Sequence, residues 1–268
     1  MKDHEVELLA DEVLDTYREK APIDLARIAA EEGIELVEGD FGDDFHGRLE
    51  FLREVSTFAI YHPRLSTARY PGRVRFSIAH EFGHYFIEEH REGIIHGLFH
   101  NSEESFRSMN PVEHEADTFA SALLIPTKAL NLAMGRNRIL TLEQILNLSR
   151  TCDASAQATA FRYARFAEEP CLAIVSSGAR ILYSFASEDA DARGFKMLGN
   201  REIPSGSATR KAAESATREI VQGPTETSQW FSARARSAEL WEEATRLGSS
   251  PLVLTLLSWK DYESEDED

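Results

Sequence analysis

His80-Glu81-Phe82-Gly83-His84 is the stretch on which the reading of this chain turns. Residues four apart on an α-helix lie on one face, one turn above another. Two imidazoles so placed can grip one metal ion, and the intervening Glu81 falls beside that ion without ligating it. The pattern H-E-x-x-H is the zinc-binding half of a metallopeptidase site. It predicts hydrolysis of a peptide bond by metal-activated water, with Glu81 as general base. Phe76, Ile78, Ala79, Phe82, Gly83 and Phe86 surround the motif with apolar and small side chains, so its helix is expected to be buried. Unpartnered histidines and a glutamate would be costly there, which is the main argument for a metal.

Two histidines leave zinc short of a third protein ligand. The best supplier is Glu113. In Glu113-His114-Glu115-Ala116-Asp117 the first and last residues share a helix face. Ala116 and Ala120 beside that face let another helix approach closely. Glu113 then completes a His₂Glu set, and Asp117 accepts an N–H from a ligand histidine, which fixes its tautomer. The competing reading makes Glu113 a carboxylate that stabilises the positive end of a helix dipole near Pro111. His114 and Glu115 are rival ligands, pointing a quarter-turn or more away from the Asp117 face. Tyr85, His90, His96 and His100 lie close in sequence, and nothing selects among them as a donor to the oxyanion. Zn²⁺ is the expected ion, with Mn²⁺ as another divalent metal for the same donors.

Working outward, Val6, Leu9, Val13 and Tyr17 recur at helical spacing. Ala21-Pro22-Ile23-Asp24 predicts a second helix, ended by Gly33. Between residues 34 and 62 the period changes to alternation, which predicts two or three short antiparallel strands. The motif helix is expected from Pro71 or Arg73 to His90. Gly93 and Gly97 interrupt the segment after it, and a polar loop is expected from Ser102 to Asn110. The Glu113 helix is expected to start at Asn110-Pro111 and to close at Pro126. Residues 128–167 read as mainly helical, with a helix start at Thr141 to Gln144 and a turn at Thr151 to Ala154. A hairpin is expected around Ser177-Gly178, and a buried strand at Leu252 to Trp259. Residues 187–250 mix loop and helix signals. Trp230, Trp241 and Trp259 read as core residues.

The chain has 268 residues and a net charge of -17, from 46 acidic and 29 basic side chains. That acidity argues against direct nucleic-acid binding through phosphates. The two cysteines, Cys152 and Cys171, suggest no disulfide framework and suit a reducing interior. No stretch approaches a transmembrane helix, and the charged N-terminus lacks an apolar signal core. Cytoplasmic localisation is the expectation. The oligomeric state is left open.

Phe76-Ser-Ile-Ala-His80-Glu-Phe-Gly-His84, followed by Glu113-x-x-Ala116-Asp117-x-Phe119-Ala120-x-x-Leu123-Leu124-Ile125-Pro126, resembles the ImmA/IrrE family of metallo-endopeptidases over roughly residues 20 to 130. The resemblance implies a gluzincin-like peptidase with His80, His84 and Glu113 as ligands and Glu81 as the catalytic residue. Many members have Asn where Asp117 stands, and either side chain accepts the same hydrogen bond. The implied substrate is a helix-turn-helix repressor, whose cleavage releases stress-response or mobile-element genes. The implied fold is α+β. It comprises a zincin-like peptidase domain with a small antiparallel sheet (1–127), a helix-turn-helix-like region (128–168), a small α+β sensor or partner-binding domain (169–262) and an acidic tail (263–268). Two rival readings remain: a regulatory protein that binds its partner without cutting it, and a DNA-binding regulator using Arg150, Arg162 and Arg165. The intact Glu81 argues against the first, and the overall acidity against the second.

Overall fold

The computed structural model describes residues 1–41, 47–66, 71–97, 110–135, 139–195, 202–231, 238–248 and 250–259. Among these residues the chain forms 11 helices and two sheets, of three and five strands, so the α+β class holds. It divides into two compact units. One is Met1–Ala129 with Ser149–Ser155; the other is Leu130–Leu148 with Ala156–Asp268.

The first unit begins with α1 (Asp3–Thr16), which buries Val6, Ala10, Val13 and Leu14. Helix α2 (Leu25–Glu32) starts later than Pro22, because the Asp24 side chain accepts from the Arg27 N–H as N-cap; Gly33 ends it at φ 69°. Strands β1 (Glu35–Gly39), β2 (Arg48–Leu52) and β3 (Thr57–Pro63) come next, in the order β1-β3-β2. The expectation of antiparallel strands needs correction. Strands β2 and β3 are antiparallel, but β1 runs parallel to β3. Alternation of apolar and polar residues places a face in the core and says nothing about strand direction.

Helix α3 (Pro71–Phe86) carries the motif and stops short of His90. Ile87 leaves helical geometry at ψ 112°, and α4 (Glu88–Ile95) restarts at once. Gly93 lies buried inside α4 rather than interrupting the chain, and Gly97 ends the helix at φ 74°. The expected loop from Ser102 falls outside the described residues apart from Asn110, as does His100. Helix α5 (Pro111–Leu124) opens where predicted, with the Asn110 side chain accepting from the Val112 N–H. Helices α3 and α5 pack side by side, with Phe86 stacked on Phe119 at 5.7 Å.

Helices α6 (Thr127–Met134), α7 (Leu142–Cys152) and α8 (Ala156–Phe166) continue the chain. Thr141 and Gln144 cap α7 reciprocally, the pairing their spacing predicts. In the second unit, β4 (Cys171–Ser177) and β5 (Arg180–Ala186) form the expected hairpin. Helices α9 (Glu188–Ala192) and α10 (Ala208–Glu214), strand β6 (Val221–Glu226), helix α11 (Thr227–Trp230), and strands β7 (Glu239–Arg246) and β8 (Leu252–Trp259) complete it. The sheet order is β5-β4-β8-β7-β6, so β8 is the central strand. Trp230 and Trp259 are in its core, whereas Trp241 is only half-buried. Both cysteines are free and buried.

Candidate metal centre

Helix α3 presents His80, Glu81 and His84 in its buried half, and α5 presents Glu113 and Asp117 opposite them. The close approach of the two helices rests on Gly83 and Ala116. A Cβ at position 83 would lie 2.9 Å from Ala116 Cα and 3.1 Å from its carbonyl oxygen, so glycine is required.

One donor atom from each of His80, His84 and Glu113 lies within 4.8 Å of the others. The two Nε2 atoms are 3.1 Å apart, His80 Nε2 is 3.2 Å from Glu113 Oε2, and His84 Nε2 is 3.7 Å from Glu113 Oε1. Ligands about 2.0–2.1 Å from a tetrahedral ion stand about 3.3 Å from one another, so these three fit such an ion. His80 Nδ1–H donates to Asp117 Oδ1 at 2.9 Å. In the neutral ring that bond leaves the Nε2 lone pair facing the other donors.

The charges agree with this geometry. Burial opposes a charge on His80, but hydrogen bonds to Asp117 and Glu113 and the field of Glu81 outweigh it and hold the imidazole at about 10. Burial likewise pushes Glu113 up, yet hydrogen bonds to His80 and His84 bring it down to about 2. The carboxylates around His80 thus hold a positive charge on that ring, and a divalent ion would compete for the same place. Glu81 is fully buried, and burial above all raises its pKa, partly opposed by His80, His84 and a backbone hydrogen bond from Leu49. Its Oε2 has no hydrogen-bond partner among the described residues, and neither has His84 Nδ1.

The rival ligands are engaged elsewhere. His114 Nε2 pairs with Asp3 at 2.9 Å, and Glu115 pairs with His90 Nε2 at 3.0 Å and with the Met1 amino group. His90 packs 5.2 Å from the His84 ring; burial first, then the charge of His84, lowers its pKa to about 4. The Tyr85 hydroxyl donates to Glu32 at 2.6 Å, and burial followed by Glu32 pushes it up to about 12. His96 caps the end of α4 and is exposed. Of the three arginines named for DNA contact, Arg162 is buried, with its guanidinium 5.9 Å from the Phe166 ring. Phe161 of the same helix lies 5.4 Å from Phe185 of β5, so α8 packs on the sheet. Gly47 and Leu49 are site residues that sequence reasoning misses. Their contact with Glu81 is made by backbone, which leaves no side-chain signature.

Residues 31–163, which contain His80, Glu81, His84, Glu113 and Asp117, match the model of the IrrE N-terminal-like domain, Peptidase_M78, a metallopeptidase family. Among solved structures, 11 chains match. One is a Mycobacterium tuberculosis transcriptional regulator, with a TM-score of 0.60 and 14% identity, covering 96% of this chain and 77% of that one. At that identity the likeness shows the fold. No curated protein matches the chain. Among the described residues, no helix is long and apolar enough to cross a membrane.

Proposed function

We infer, from the membership of residues 31–163 in the IrrE N-terminal-like peptidase family, that this chain is a zinc-dependent endopeptidase acting on a protein regulator. The observation that carries the reading is the convergence of His80, His84 and Glu113, with the orphaned Oε2 of Glu81 buried beside them. His80, His84 and Glu113 would hold the ion, and Asp117 would orient His80. A divalent metal bound there supplies Lewis acidity to a water molecule and to the scissile carbonyl. Glu81 Oε2 accepts the proton of the attacking water and later delivers it to the leaving amine. The burial that raises the Glu81 pKa suits both transfers, since a base must also serve as an acid.

The substrate we propose is a helix-turn-helix repressor in the cytoplasm, whose cleavage switches on stress-response or mobile-element genes. Residues 1–127 form the peptidase domain in this scheme. Residues 128–168 support it, and 169–262 receive the signal or hold the partner. The DNA-binding alternative finds little support, because α8 buries six of its residues, Arg162 included.

The test is incubation of the chain with zinc and candidate helix-turn-helix proteins, beginning with any encoded by the adjacent open reading frame, followed by intact-mass analysis. A single defined cut is expected from the wild type. Glu81→Gln should keep one zinc per chain and lose at least about a hundredfold in rate, the scale of general-base catalysis. Cleavage by Glu81→Gln at the wild-type rate would reject the mechanism.

A further inference from the structure

Strand β2 is one of the two outer strands of the three-stranded sheet, so alternate backbone N–H groups along it have no ladder partner. Leu49 is one residue of that strand, paired across to Ile60 of β3. Its N–H goes to the Glu81 carboxylate. Two residues earlier, Gly47 passes so close to Glu81 that a Cβ there would lie 3.1 Å from Oε1 and 3.4 Å from Cγ. The same Cβ would lie 3.4 Å from the Ser77 Cβ. Glu81 is therefore held between its own helix and the backbone of an edge strand. Only Oε2 is left without a hydrogen bond among the described residues.

We propose that the Gly47–Leu49 backbone is a positioning clamp for Glu81, occupying one carboxylate oxygen and thereby selecting Oε2 as the atom that exchanges the proton. The catalytic part of this statement rests on the peptidase reading, while the clamp itself does not. A flexible glutamate offers two equivalent oxygens and several rotamers. A buried one bonded to the Leu49 N–H, with Oε2 left unbonded, offers one oxygen in one direction, which is the preorganisation that proton transfer needs. Glycine at 47 favours this approach through the space it leaves beside Oε1 and not through its backbone angles, since a Cβ there would press on the carboxylate by a few tenths of an ångström. An edge amide satisfied by a side chain is also closed to further strand pairing at that point.

The clamp is tested by hydrogen exchange at the Leu49 amide of the full chain, followed by NMR, with the Ala59 and Ile60 amides of β3 as internal controls. Glu81→Ala removes the acceptor and should speed Leu49 exchange by about tenfold or more relative to the controls, the scale of one charge-assisted hydrogen bond. Glu81→Gln retains an acceptor oxygen and should stay within about threefold of the wild type. That rescue separates a specific bond from general loosening. Gly47→Ala leaves the metal donors untouched. It should accelerate Leu49 several-fold, on the order of half a broken bond, while elemental analysis still finds one zinc per chain. Leu49 exchange that is indifferent to both Glu81→Ala and Gly47→Ala would overturn the clamp. So would equal acceleration by Glu81→Ala and Glu81→Gln. Failure to cut any regulator with Leu49 protection intact would instead remove the peptidase reading and leave the clamp standing.

Discussion

Gly83→Ala probes the helix contact on which the proposed metal site depends. The added Cβ would meet Ala116 Cα at 2.9 Å, its carbonyl oxygen at 3.1 Å and its Cβ at 3.3 Å. Carbon atoms in contact rest about 3.5–4.0 Å apart, so α3 and α5 must separate locally by roughly 0.6–1 Å. Overpacking of this kind costs about 1–3 kcal/mol, and alanine returns about 1 kcal/mol of helix propensity, so the net loss of stability is about 0–2 kcal/mol. The site is far less forgiving. A usable ligand distance holds to about 0.2 Å, and separation carries Glu113 on α5 away from His80 and His84 on α3. Zinc affinity should fall by about tenfold to a hundredfold, the range seen when the support of a ligand is lost. Titration against a chromophoric chelator measures the affinity, and thermal unfolding measured by circular dichroism on the same samples measures stability. The two should part, with a modest change in melting temperature and a large change in zinc binding. Adding Ala116→Gly should not rescue the variant, because the tightest contacts are with the Cα and carbonyl of residue 116. Wild-type zinc affinity in Gly83→Ala, or full rescue by Ala116→Gly, would refute this account.

Glu113→Ala should leave the chain folded and strip most of its zinc after dialysis, read as metal per chain by elemental analysis; undiminished zinc would reject Glu113 as a ligand. Asp117→Ala should weaken zinc by about tenfold to a hundredfold through the loss of the His80 support, whereas Asp117→Asn, which still accepts from His80 Nδ1, should fall short of that. Glu243 accepts from the Leu142 N–H at 3.2 Å, and burial raises its pKa despite that bond. A raised carboxyl pKa means that the folded state binds the proton better. The contribution to stability is therefore full below the unfolded value of about 4.3 and is lost as pH rises through the folded value. Glu243→Gln keeps an acceptor and removes the charge, so it should raise the melting temperature at pH 7 and flatten its fall with pH; a lower melting temperature at pH 7 would contradict this.

The site is legible in the sequence where its chemistry is local. His80, Glu81 and His84 declare themselves by spacing on one helix, and Glu113 with Asp117 by spacing on another that starts at Asn110-Pro111. The structure brings four of these five side chains into direct contact through the bonds from His80 and His84. The features that escape depend on long-range approach or on partners that sequence does not display. Ile87 breaks the helix between α3 and α4 without a glycine or proline to mark it. Gly93 reads as a stop and is instead a buried helical residue. Strand β7 is hidden by Glu242 and Glu243, two acids that read as surface. Each is buried with a bond of its own: Glu242 accepts from the Thr209 N–H and hydroxyl, both at 2.6 Å, and Glu243 accepts from Leu142. Gly47 is invisible because it matters through the absence of a side chain.

The place of β8 carries a consequence for synthesis. Residues 252–259 are made after every other strand of their sheet, yet they lie between β4 and β7, with Cys171 opposite Ser258 and Leu240 opposite Trp259. Until that segment leaves the ribosome, the earlier strands exist only as two separate hairpins, each with an open flank. A nonsense change after Arg246 and before residue 252 therefore does not merely shorten this unit but leaves it unzipped down the middle, with both flanks presented to quality control.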